Sequence, residues 1–259
     1  MLSEYSVTVP MVLLVSLLVG LGGFVDASAG GGGLITLPAY MATGLPVHLV
    51  YAANKFSSVC GTSFSSAMFL RKGALDGKVA LIAAAASFLG SGLAAHLVLL
   101  LSDRVLKTLV LVMLPIAAVI IFSQRNRSEE NRSGEIPLKK KLLLAAGIGF
   151  FIGGYDGLIG PGTGTFAILA FTAILKFDLR TASGNAKILN LASGYASLVT
   201  YLLAGMVPFA LAIPCAVCNI GGAMLGSHFA LSRGAKFIRP MLLVVMALLL
   251  VKLAADLLL

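Results

Sequence analysis

Apolar residues run along this chain in long blocks, and polar residues fall mainly in the short gaps between them. The blocks cover about 10–26, 34–44, 48–70, 77–101 and 103–123, and then about 141–157, 164–175, 179–204, 208–231 and 236–258. Three blocks in each set reach the roughly 20 residues that a helix needs to cross a hydrocarbon core. The first two blocks of each set are separated by glycines. They form either one broken crossing or a hairpin that enters the membrane and returns.

Self-comparison of the chain explains why the blocks come in two sets of five. An ungapped offset of 131 places Gly22, Gly23 and Phe24 on Gly153, Gly154 and Tyr155, Gly31 on Gly162, Asn54 on Asn185, and Gly90 on Gly221. Glycine and asparagine matches carry more weight than aliphatic ones in a chain rich in Leu, Ala and Val. The reading is a duplication: a first transmembrane repeat over 1–123, a polar linker over 124–141, and a second repeat over 142–259.

Charge chooses between the broken crossing and the hairpin. If each half crosses four times, the halves are parallel and the loop Lys and Arg residues divide nine to seven between the two sides. If each half crosses three times, the second is inverted. Arg71, Lys72, Lys78, the linker cations, Lys176, Arg180, Arg233, Lys236 and Arg239 then share one side, and the division is fourteen to two. That is the positive-inside pattern. Equivalent loops agree, since 71-RKGALDGK-78 is basic and 205-GMVP-208 carries no charge. The expected fold is therefore all-α, a polytopic integral membrane protein built as an inverted-repeat bundle with a discontinuous or re-entrant hairpin in each half. Its termini are expected outside and its linker in the cytoplasm.

Composition confirms the solvent and removes other classes. Apolar residues make up 59% and charged residues 11%, with a mean hydropathy of +1.01, far from the ~25% charged residues of a soluble domain. The net charge of +9 comes without a basic and aromatic module, so nucleic acid is not an expected partner; membrane lipid is. MLSEYSVTVP holds Glu4 and no Lys or Arg, unlike the basic start of a cleaved signal. The chain shows no H-E-x-x-H, no G-x-S-x-G and no Walker motif. No enzyme activity, cofactor or metal is expected. Cys60, Cys215 and Cys218 read as small membrane residues.

The glycine breaks carry the candidate chemistry. Irregular backbone at membrane depth survives only where protein buries it or water reaches it, so 30-GGGG-33 marks a protected cavity. The half-helix that follows points free N–H groups into it, and such an end favours anions. The second half repeats the design in 157-GLIGPGTGTF-166, where Thr163 and Thr165 add hydroxyls. A side chain at Gly32 is accordingly expected to harm binding more than folding, whereas Gly92 is read as a close helix contact.

The ionisable groups deep in the apolar blocks are Asp26, Lys55, Asp156 and Lys187, and such groups are expensive in a membrane. Two readings stand. They form structural Asp–Lys pairs, or the lysines attract an anion while Asp26 or Asp156 takes up protons or balances charge. Asn54, Asn185 and Asn190 offer further donors.

The segments 25-VDASAGGGGLITLPAYMATGLP-46, 53-ANKFSSVCGTSFSSAMFLRKG-73, 155-YDGLIGPGTGTF-166 and 184-GNAKILNLASG-194 resemble the TauE/SafE family of sulfite-exporter-like proteins, and the similarity covers nearly the whole chain. The resemblance implies a carrier of sulfite, thiosulfate, sulfonates or related small anions in a bacterial inner membrane. It points to Asp26, Gly30, Gly31, Gly32, Gly33, Asn54, Lys55, Gly160, Gly162, Thr163, Gly164, Lys187 and Asn190. It fixes neither substrate nor direction. A secondary carrier working by alternating access is the first expectation, and a passive anion channel is the alternative.

Overall fold

A computed structural model describes residues 7–102, 104–106, 108, 130–238, 240–241 and 244. The expected spans at 103–123 and 236–258, the linker up to residue 129 and both chain ends fall wholly or largely outside these residues. Among the described residues the structure is helical, with no strand: α1 (Val9–Ala29), α2 (Gly33–Met41), α3 (Val47–Arg71), α4 (Gly77–Leu100), a 3-10 turn (Ser133–Glu135), α5 (Leu138–Leu158), α6 (Thr163–Ala173), α7 (Leu179–Leu203) and α8 (Phe209–Arg233). Both glycine breaks separate a long helix from a short one, so each half does contain a discontinuous hairpin.

Local chemistry sets the helix ends. Pro46, Pro137 and Pro208 precede α3, α5 and α8, where the missing proline N–H costs nothing. Asp76 and Asp178 cap α4 and α7, each carboxylate accepting two N–H bonds at 3.0–3.2 Å. α1 ends at Gly30, whose φ of 79° is left-handed and whose N–H donates to the Asp26 carbonyl at 2.7 Å. Glycine takes that conformation without the Cβ penalty.

α1, α4, α5 and α8 are long and apolar enough to cross a membrane, whereas α3 and α7 are equally long but far more polar. Their polar side chains face the protein interior: Ser57, Ser65, Ser66, Ser183, Ser193 and Ser197 are buried. The apolar helices pack by small residues at every fourth position. Gly149, Gly153 and Gly157 of α5 press on Ala83, Ser87 and Ser91 of α4. Across the molecule Gly222 and Gly226 of α8 press on Gly20 and Phe24 of α1.

These contacts also give the relative directions of the six long helices. α1 runs parallel to α8, and α4 parallel to α5. α3 runs parallel to α8, with Gly61 at Asn219 and Ser65 bonded to Ser227. α4 runs parallel to α7, through Ser87 to Leu189 and Ser91 to Ser193. α3 and α7 cross antiparallel, Ser66 meeting Lys187 and Ser63 meeting Tyr195. Each long helix is thus antiparallel to its counterpart in the other half, and the first helix of each half packs on the fourth of the other. That is the expected inverted repeat.

The halves do not superimpose by one offset. Asp26 and Asp156 are equivalent in the structure, separated by 130, and Lys55 and Lys187 are equivalent, separated by 132. The change occurs within the half-helices, because α6 has 11 residues and α2 has 9. The ungapped 131 lies between the two true registers, which is why it matches glycines on one side and Asn54 to Asn185 on the other.

The basic residues gather at one end of the bundle. Lys141 reaches Asp76 at 4.0 Å and lies over the Phe177 ring. Arg132 and Lys176 both bond Glu135, at 2.6 and 2.8 Å. The 3-10 turn, the start of α5, the α3–α4 loop and the α6–α7 loop therefore share a face. The uncharged α7–α8 loop lies at the other end of α7.

Candidate functional site

The two glycine turns meet at the centre of the bundle. Thr165 donates its N–H to the Gly30 carbonyl at 3.3 Å and its hydroxyl to the Ala29 carbonyl at 2.8 Å. Gly30 and Gly164 lie backbone to backbone, and a Cβ on Gly164 would stand 2.8 Å from Asn190 Nδ2. Tyr155 ties the second turn to its own helix by donating to the Pro161 carbonyl at 2.7 Å.

A cavity of about 40 Å³ of space open to water centres lies between these turns and helices α3 and α7. One water needs roughly 10–15 Å³ on this measure, so the space holds about three waters or an anion of similar bulk. The first hairpin contributes Gly22, Asp26, Gly30, Gly32, Gly33 and Thr36, and α3 contributes Asn54, Lys55, Ser58, Val59 and Thr62. The second hairpin contributes Asp156, Gly160, Thr163 and Gly164, and α7 contributes Asn190 and Gly194.

Donors are available there. The N–H groups of Gly33 and Gly164 stand at the starts of the two half-helices and have no partner among the described residues. They are the orphan donors of helix N-termini, where the helix field favours negative charge. Asn190 brings its amide N–H₂ beside Gly164, while its acceptor Oδ1 is buried without a partner and Asn54 Oδ1 accepts from Thr36 Oγ1 at 2.6 Å.

The four deep charges form two ion pairs, and each pair joins the halves. Lys55 on α3 donates to Asp156 Oδ2 at 2.7 Å and to the Asp156 carbonyl at 2.8 Å. Ser193 donates to Asp156 Oδ2 at 2.7 Å, and the Thr163 hydroxyl places its one proton between the Gly160 carbonyl at 2.5 Å and Asp156 Oδ1 at 3.0 Å. Lys187 on α7 donates to the Asp26 carbonyl and lies 3.5 Å from Asp26 Oδ2. Asp26 Oδ1 accepts the Gly32 N–H at 3.3 Å. Each ammonium thus sits at the C-terminal end of the opposite half's first helix, where a cation is favoured. The four charges sum to zero.

The structure brings Asp26, Gly30, Gly32, Gly33, Asn54, Lys55, Asp156, Gly160, Thr163, Gly164 and Asn190 to the cavity. It puts five other candidates outside the lining. Gly31 accepts the Leu34 N–H within the turn. Gly162, with φ 85°, is the residue from which α6 starts, and Thr165 bridges the turns. Lys187 sits behind Asp26. Asn185 accepts the Asp76 N–H at 3.0 Å, at the basic end of the bundle. Five residues separate it from Asn190, a rotation of about 140° on a helix, so the two cannot share a face. Thr36, Ser58, Thr62 and Ser193 were absent from the sequence expectation. The signal for Ser58 and Thr62 was the density of Ser and Thr over 57–66 in an otherwise apolar chain, and Thr36 and Ser193 had none.

The expectation for the glycines changes too. A Cβ on Gly32 would overlap the Gly22 carbonyl and stand 2.5 Å from Asp26 Cβ, whereas a Cβ on Gly92 would meet only Ala196, at an ordinary 3.9 Å. Gly32 is a tight contact and Gly92 is not.

Comparison with known proteins agrees with this architecture. The family model described as sulfite exporter TauE/SafE matches residues 15–253. A probable membrane transporter protein of Escherichia coli, YfcA, is 35% identical over 237 residues, covering 91% of this chain and 87% of that protein. A probable membrane transporter protein of Haemophilus influenzae is 32% identical over 234 residues, covering 90% of each. One from a Sinorhizobium species, ORF9, is 32% identical over 237 residues, covering 91% and 89%. No solved structure matches the chain. Matched along most of its length and folded as a multi-pass bundle with a polar centre, the chain belongs to the TauE/SafE family of membrane transporters.

Proposed function

We propose that this protein is a secondary carrier for a small sulfur-containing or organic anion of the sulfite, thiosulfate or sulfonate class. The observation that carries the reading is the central cavity, where two half-helix N-termini converge with unpaired N–H groups at Gly33 and Gly164, beside Lys55. The cavity suits an anion of a few heavy atoms and no larger solute in this conformation. The inverted halves provide two related arrangements of the same contacts, which is how alternating access works in such folds.

The basic end of the bundle faces the cytoplasm in this reading, by the positive-inside rule. The termini then lie outside, and the membrane is the bacterial inner membrane. The chain divides into repeats 1–123 and 142–259 around the cytoplasmic linker 124–141.

The test is uptake into proteoliposomes across sulfite, thiosulfate, methanesulfonate, taurine, sulfate and a carboxylate. A carrier saturates and shows counterflow when loaded with unlabelled anion. Uptake without saturation or counterflow would make it an anion channel, and transport of carboxylates alone would remove the sulfur-anion class.

A further inference from the structure

The two ion pairs are related by the repeat but differ in kind. The Asp156 carboxylate is held by Lys55 and Ser193 at 2.7 Å each, with the Thr163 hydroxyl, whose one proton also faces the Gly160 carbonyl, at 3.0 Å, and its side chain is 11% exposed. The Asp26 carboxylate has one backbone donor at 3.3 Å, stands 3.5 Å from its lysine, and is 23% exposed. Both line the cavity. Lys187 is anchored mainly on the Asp26 main-chain carbonyl, so it keeps a partner if the carboxylate loses its charge. Lys55 is anchored on carbonyl and carboxylate alike.

We propose that Asp26, and not Asp156, is the carboxylate that takes up and releases a proton during transport. The proposal rests on the carrier reading and adds its coupling ion. In discontinuous-helix carriers, freed carbonyls near the break hold the coupling cation. Here the Asp26 and Asp156 carbonyls are already taken by tethered ammonium groups. A proton on a carboxylate is an exchangeable cation that the site can hold, and Asp26 is the carboxylate with few donors and access to the cavity.

The charge balance supports one proton per monovalent anion. Lys187 faces Asp26 from α7, and Lys55 and Asp156 face it across the cavity from α3 and α5. α8 packs on this stretch of α1 through Gly222 and Gly226, and α2 and α6 approach through Thr36 and Gly164, none of them charged. With both aspartates ionised the site is neutral, and an entering anion would leave a net negative charge buried, at high cost. A proton taken from water onto Asp26 Oδ2 gives a neutral carboxylic acid and a site of charge +1. A monovalent anion cancels it. On the far side the proton returns to water as the anion leaves.

Infrared difference spectroscopy of the full chain in lipid vesicles tests this. Acidification without any anion is expected to produce a protonated-carboxyl band from a buried acid. Methanesulfonate, which does not itself titrate, is expected to increase that band at fixed pH. Asp26→Asn is expected to abolish the band and lose proton-driven accumulation, with the amide bands of the folded helices unchanged. Ser193→Ala, which strips one donor from Asp156, is expected to leave the band unchanged. A band that survives in Asp26→Asn, or proton-driven accumulation by that variant at the wild-type rate, overturns the proposal. Failure of every anion in the transport panel, with the acid-induced band still lost in Asp26→Asn, would count against the substrate class and support Asp26 as the titrating carboxylate.

Discussion

Lys55 of the first half donates to both the carboxylate and the main-chain carbonyl of Asp156 in the second, at 2.7 and 2.8 Å. The lysine is therefore a structural tie as well as a positive charge beside the cavity. Removing one partner of a buried pair leaves the other charge unpaired, at a cost of roughly 3–5 kcal/mol. Lys55→Met is expected to lower the detergent melting temperature markedly and to stop transport, not to stop transport in a fully stable protein. Lys55→Met with Asp156→Asn is expected to recover much of the melting temperature and none of the transport. If the single variant melts like wild type, the pair is not a tie.

The glycines give a second contrast. Gly32 has backbone and Asp26 against the place where a Cβ would stand, and Gly92 has only an ordinary contact with Ala196 at 3.9 Å. Gly32→Ala is expected to destabilise by about 1–3 kcal/mol, the usual cost of overpacking, whereas Gly92→Ala is expected to stay within about 0.5 kcal/mol. Melting curves of the two purified variants decide the matter. Equal losses at both positions would contradict the packing described for the first turn.

How much of this was legible in the chain follows from where each signal lies. The break at Gly30–Gly33 was legible because a glycine run has no role in an apolar helix. The inversion was legible because arginines and lysines record sidedness in the loops. The crossed pairing of Lys55 with Asp156 and Lys187 with Asp26 was not legible, since each partner lies in the other half. The repeat register was misread because α6 is two residues longer than α2, and one ungapped offset cannot follow that change. Asn185 looked like a site residue because polarity in an apolar block marks burial in protein without saying against what.

Sidedness has a direct check. Gly73 lies in the α3–α4 loop at the basic end, and Gly205 in the uncharged α7–α8 loop at the other. Both are exposed, and neither place would crowd a Cβ. In a background with Cys60, Cys215 and Cys218 replaced by alanine, Gly205→Cys is expected to react with an impermeant maleimide on intact cells, and Gly73→Cys only after permeabilisation. The reverse pattern would keep the inverted fold and exchange its two faces. Reaction of both from outside would contradict the antiparallel arrangement of equivalent helices.

Asn185 and Asn190 separate site from scaffold on a single helix. Asn190 lines the cavity and lies one turn beyond Lys187. Its amide N–H₂ is beside Gly164, whose own N–H is unpaired. A hydrogen bond to a charged group contributes roughly 1.5–3 kcal/mol, so Asn190→Ala is expected to raise the apparent KM for the transported anion by roughly 10- to 100-fold, with little change in melting temperature. Asn185 bonds the Asp76 N–H where α4 begins. Asn185→Ala is expected to cost roughly 0.5–1.5 kcal/mol of stability, the net worth of one such bond, and to leave the apparent KM within twofold. The two effects fall on different measurements because five helical residues turn the side chains to different faces. If Asn185→Ala raised KM and Asn190→Ala did not, the anion would bind nearer the basic end, and the meeting point of the two glycine turns would be scaffold.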